Sequence, residues 1–222
     1  MSVMTRFQKK KKENPEYGEN QEQSFKVLGA MPSSGIRKQQ VARNIEKELK
    51  DDLAKLKLIK SIKQKEAEKE SHLVPKYLPF VKKLMESGQK HPLIGFILVW
   101  MFDTKDIHGA MELAVYCIEK EIPMPEHFKR DLPVYLCDTV LEWAEKEHED
   151  ERSVEPYFGQ IYEMSKNWDI PDQVSAKIFR LRGIIALDKE DFDTAVLEFT
   201  KAEEYGAKVK TLLSKAKKAA EK

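Results

Sequence analysis

The side chains in this sequence that could do chemistry are carboxylates. Glu145, Glu147, Glu149, Asp150 and Glu151 crowd seven consecutive positions, and grouped carboxylates can hold divalent cations for two-metal phosphodiester hydrolysis. Such a centre needs acids brought together from separate rigid elements, whereas a contiguous run at a helix end reads as a solvated face. Four further acids, Asp103, Asp106, Asp188 and Asp191, stand in two short turns. Their oxygens suit the capping of free N–H groups at the start of a following helix. Cys117 and Cys137 flank His127 with nine residues on either side, a spacing that fits no common zinc pattern. Both cysteines are expected to pack as small apolar residues. No G-x-x-x-x-G-K-[ST], no G-x-G-x-x-G after a strand, no H-E-x-x-H and no nucleophile-elbow serine occurs. The residues point to a binding protein with no catalytic residue, no metal and no cofactor.

The elements that carry these residues follow from composition. Charged residues make up 35% of the 222, and only nine are glycine, a balance that favours long amphipathic helices over sheets. No apolar run reaches the roughly 20 residues that span a bilayer, so no membrane contact is expected. No hydrophobic segment follows the basic start, so the chain is expected to remain in the compartment where it is made. Net charge is only +1, but residues 1–70 carry +6, residues 71–200 carry −9 and residues 201–222 carry +4. A polyanion would meet the ends and proteins the middle, although lysine-rich tails also occur without any such purpose.

Residues 1–35 lack apolar periodicity and are expected to form a disordered basic and polar tail. Residues 36–72 are expected to form a long amphipathic, DNA-proximal segment, helical to about residue 70, in which Val41, Ile45, Leu49, Leu53, Leu56, Ile59 and Ile62 recur at spacings of four and then three, which places them on one stripe. So narrow a stripe suits an oligomerisation seam or coiled coil; the alternative is a single helix docked on its own chain. Residues 73–205 read as successive helices with short connectors, and residues 206–222 as a basic C-terminal helix. Proline opens several of the helices, as at Pro92 and Pro133, and glycine ends others, as at Gly88 and Gly206. The expected fold is all-α, with an αα-hairpin array as its main domain.

Two segments repeat at an offset of 85: WMFDTKDIHGAMELAV over residues 100–115 and IALDKEDFDTAVLEFT over residues 185–200. The second copy resembles the tetratricopeptide repeat, with Phe179, Gly183, Ala186, Ala195, Phe199 and Ala202 at that motif's large and small positions. Arg182 departs from it where leucine is usual. Small residues at a helix crossing let two backbones approach, and the same spacing would also serve an ordinary αα-hairpin.

A second resemblance covers most of residues 73–205. Leu78-Pro79-Phe80-Val81 is followed by an apolar helix and by Trp100, Asp103, Thr104, Asp106, Ile107, Ala110, Met111, Glu112, Leu113 and Ala114, then by Met124-Pro125. Further on come Ile170-Pro171-Asp172-Gln173-Val174 and Ala176-Lys177. This pattern resembles the small terminase subunits of temperate contractile-tailed bacteriophages, a family often labelled the endonuclease subunit. The resemblance implies an oligomer that recognises the packaging site on concatemeric double-stranded phage DNA in the host-cell cytoplasm. It also implies a large-subunit partner that carries the ATPase and the nuclease. Cohesive-end cutting would then belong to the complex. DNA contact is expected from the basic ends, at Lys9, Lys10, Lys11, Lys12, Arg37, Lys38 and Arg43 and at Lys215, Lys217 and Lys218, and self-association from the stripe. The competing expectation is a helical-repeat scaffold that binds proteins and no nucleic acid.

Overall fold

The computed structural model describes the backbone of residues 35–221 and the side chains of residues 43–221. Apart from Gly35, the expected tail lies outside the described residues, with Lys9, Lys10, Lys11 and Lys12; so do the side chains of Arg37, Lys38 and Val41. All regular structure among the described residues is helical. The chain divides into two compact units between His127 and Phe128.

The first unit holds α1 (Gly35–Leu58), α2 (Ile62–Glu68), a π-helical turn (Lys69–Leu73), α3 (Val74–Glu86), α4 (Pro92–Asp103) and α5 (Ile107–Glu119). The single helix expected over residues 36–70 thus breaks at residues 59–61. Ser61 turns to extended backbone, and its Oγ accepts the Gln64 N–H at 3.4 Å. A serine that captures a nearby N–H competes with a continuing helix and starts a new one. Helix then runs without interruption from α2 through the π turn into α3, so the boundary expected at residues 72 and 73 falls inside it. A proline removes a donor and crowds the carbonyl four residues earlier. The wider π turn lies immediately ahead of Pro75 and gives that crowding room.

The apolar stripe of α1 faces the chain's own core. Ile45, Leu49 and Leu56 are buried, Leu53 and Ile59 half-buried, and Ile62 exposed. Helix α4 is apolar on every side, and a helix of that kind belongs at a centre. Its Leu93, Ile94, Ile97 and Leu98 are fully buried, and it packs against α3 and α5. Gly95 admits the segment after α5, because a β-carbon there would stand 2.9 Å from the Pro123 carbonyl oxygen.

The second unit holds α6 (Leu132–Glu149), α7 (Tyr157–Ser165), α8 (Asp172–Asp188), α9 (Phe192–Glu204) and α10 (Lys210–Ala220). Helix α8 packs on α6 and α9, and α10 on α9. Ala195, Phe199 and Ala202 of α9 meet Val209, Leu213 and Ala216 in one apolar cluster. Gly206, at φ +90°, turns the chain out of α9, the left-handed step that glycine takes without strain.

The internal repeat is reproduced atom for atom in the turns. Lys105 and Glu190 both take φ +60°. Asp106 N–H bonds the Met101 carbonyl at 2.9 Å, and Asp191 N–H bonds the Ala186 carbonyl at the same distance. Ala110 and Ala195 are fully buried, as the crossing reading requires. At the neighbouring position the sizes exchange: the first copy has buried Leu98 and Ala114 where the second has Gly183 and Phe199.

Candidate nucleic-acid and partner interface

The turn acids divide into two roles. Asp106 accepts the Gly109 N–H at 3.3 Å and Asp191 the Thr194 N–H at 3.2 Å, the capping that the sequence suggests. Asp103 and Asp188 depart from it. Each is the last residue of its helix and turns to a nitrogen-bearing side chain from an earlier element: Asp103 Oδ2 accepts from Lys69 Nζ, and Asp188 Oδ2 lies 3.0 Å from His148 Nε2. In each hairpin one acid caps the second helix and the other fastens the first to what precedes it.

The acidic run does not assemble a metal centre. Arg152 clasps both oxygens of Glu147, at 2.6 and 2.8 Å, and also reaches Asp150 at 2.6 Å. Hydrogen bonds from Arg152 hold the Glu147 carboxyl below its usual range. Glu145 pairs with Arg180 at 3.5 Å. No group of three or more metal-ligating side chains occurs among the described residues. Cys117 and Cys137 are fully buried, and burial pushes each thiol up to about 12. Thiols of that kind are poor nucleophiles.

A polar knot in the first unit had no counterpart in the expectations. Asp52 is buried on the inner face of α1 and accepts hydrogen bonds from Lys76 Nζ at 2.7 Å and Tyr77 Oη at 2.8 Å. Lys76 also reaches Glu48 at 3.1 Å. Burial pushes the Asp52 carboxyl up, but the bonds from Lys76 and Tyr77 and the lysine charge outweigh it and hold the group below its ordinary value. Burial would lower Lys76, and its two carboxylate partners raise it instead. In the second unit Glu198 is likewise buried and accepts from Tyr162 Oη at 2.8 Å and Lys201 Nζ at 3.1 Å. These knots fasten α1 to α3 and α7 to α9.

The basic residues separate between the units. Arg43 is exposed on α1. Lys215, Lys217 and Lys218 are exposed on α10, where Leu213 and Ala216 face the core. A further basic surface lies at the α1–α2 break. Residues 53–65 contain Lys55, Lys57, Lys60, Lys63 and Lys65 and no acid. Lys55 reaches Asp52 at 3.3 Å. Among the described residues, Lys57, Lys60, Lys63 and Lys65 make no ion pair. The acid-free run is visible in the sequence; attention to the apolar side of the helix passes over it. Leu58 and Ile62, in the same run, are 81% and 73% exposed. No helix among the described residues is long and apolar enough to cross a membrane.

A family model described as the phage small terminase subunit matches residues 47–173. The probable terminase, endonuclease subunit of Haemophilus phage HP1 (strain HP1c1) is 28% identical over 142 residues, covering 63% of this chain and 50% of that protein. The terminase, endonuclease subunit of Escherichia phage P2 is 30% identical over 154 residues, covering 68% of this chain and 62% of that protein. The chain thus spans between half and two thirds of the length of these curated relatives. No solved structure matches it.

Proposed function

Because the chain belongs to the phage small terminase subunit family, we propose that it binds the packaging site on phage DNA and presents it to the large terminase subunit. In this reading the host cytoplasm is the site of action, and the large subunit supplies both ATPase and nuclease. The observation that carries it is the family match over residues 47–173, which takes in both turn acids of the first hairpin and runs into α8. The ion pairs of Glu145, Glu147 and Asp150, three of the five carboxylates of residues 145–151, support a role without intrinsic cutting. Where the relatives are titled endonuclease subunit, the cohesive-end cut is assigned here to the assembled complex.

Self-association belongs to the same proposal, with its seam moved. Ile45, Leu49 and Leu56 are used by the chain's own core, and among the described residues Ile62, at the stripe's end, and its neighbour Leu58 offer an exposed apolar pair to a second copy. A protein-binding scaffold is the second reading, favoured by the small and large residues of the α8–α9 hairpin. Reconstitution on cohesive-end DNA with Mg²⁺ separates the readings. This chain alone should leave the duplex intact, and with its large subunit it should direct the cut. Cutting by the isolated chain contradicts the adaptor reading, and a large subunit that cuts at its site equally well without this chain favours the scaffold.

A further inference from the structure

We infer that the α1–α2 elbow is a phosphate-contacting surface for double-stranded DNA, formed by Lys57, Lys60, Lys63 and Lys65. The inference rests on the reading of the chain as a DNA-binding subunit and assigns that contact to a definite place. Lysines near the elbow show the contrast. Lys69 is bound to Asp103, and Lys76 to Asp52 and Glu48. The four elbow lysines have no such partner among the described residues, and three of them are exposed while Lys65 is half-buried.

Helix stability does not account for Lys60 and Lys63. A cation in the last turn of a helix complements the helix dipole, so Lys57 at the end of α1 suits its own helix. The start of α2 favours anions, yet Lys60 and Lys63 stand there and the first turn holds no acid, while Lys65 lies in the last turn and, like Lys57, suits its own helix. A run that breaks a local rule marks selection for something outside the fold. Lysine binds phosphate as a point charge, and the run offers no arginine for paired readout of a guanine edge. The elbow should therefore position the duplex without reading its sequence. A membrane surface would demand a broad apolar face beside the cations, but the buried residues of the α1 stripe face the core, and among the described residues of α1 and α2 the large apolar side chains that are exposed are Leu58 and Ile62.

The test is a salt series of anisotropy titrations of the full chain on a short cohesive-end duplex. The fourfold variant Lys57→Gln, Lys60→Gln, Lys63→Gln, Lys65→Gln should bind at least about tenfold more weakly at low salt. Its plot of log affinity against log salt should be shallower by about one unit per lysine that met a phosphate. Arginine at the same four positions should restore binding. The double variants Lys57→Gln with Lys60→Gln, and Lys63→Gln with Lys65→Gln, should each produce part of the loss even if the fourfold variant folds poorly. A fourfold variant with the parent's affinity and slope overturns the elbow and leaves the terminase reading standing. A parent chain that ignores the duplex overturns both. A parent that binds phosphatidylserine vesicles but not DNA makes the elbow a membrane surface and overturns the inference.

Discussion

The ring of Phe199 occupies the space that a side chain at Gly183 would need: a β-carbon there would stand 2.6 Å from Phe199 Cδ1. The pair lies where α8 meets α9, and it is the counterpart of Leu98 and Ala114 in the first hairpin. One crossing puts its bulk on the second helix and the other on the first. The total filling is similar while the shapes are opposite, so the two copies share a turn without sharing a core.

Gly183→Ala should therefore destabilise the second unit by roughly 1–3 kcal/mol, through overpacking. In a Phe199→Leu background the same change should cost less, because the ring that obstructs it is gone. Thermal denaturation of the two single variants and the double variant measures the coupling. Additive effects would contradict the contact.

Each capping aspartate should matter alike. Asp106→Ala and Asp191→Ala remove equivalent hydrogen bonds at the starts of α5 and α9, and each should cost about 0.5–2 kcal/mol. Hydrogen exchange should show the loosening in the first unit for one and in the second for the other.

Much of this was legible in the sequence, and the reasons are local. Pro92 and Pro133 sit in the first turns of α4 and α6, where a missing N–H costs nothing, and the two capping acids lie three residues from the groups they bind. The misses are long-range. Asp103 meets a lysine 34 residues away and Asp188 a histidine 40 residues away, distances at which nothing in the chain announces a partner. Periodicity says that α1 has an apolar face and not what covers it. The break at residues 59–61 rests on one serine, with neither proline nor glycine to mark it.

The Asp52 knot makes a pH-dependent contribution to the stability of the first unit. The carboxyl titrates below its ordinary value of 3.8, so the stability it supplies is complete above that value and is lost as pH falls through the folded one. Lys76 is raised above 10.5, so its share is complete below that value and is lost as pH rises through the folded one. Asp52→Asn should cost roughly 1–3 kcal/mol at neutral pH and flatten the acid side of a plot of denaturant midpoint against pH. A steep acid limb retained in the variant would place the response elsewhere.

The exposed apolar pair is the place to test self-association. Leu58→Glu with Ile62→Glu alters groups outside the core, so the helical content should persist while the mass by light scattering falls. Leu49→Lys, by contrast, puts a charge at a buried position and should unfold the first unit. A double variant with the parent's mass puts the seam elsewhere.

Whether this chain grips phage DNA through its charges is decided by a binding isotherm of the full chain on cohesive-end duplex over a range of salt concentrations. Binding should be tight at low salt, with a steep linear fall of log affinity with log salt, as lysines displace counterions from several phosphates. No binding at low salt, or an affinity indifferent to salt, would contradict it.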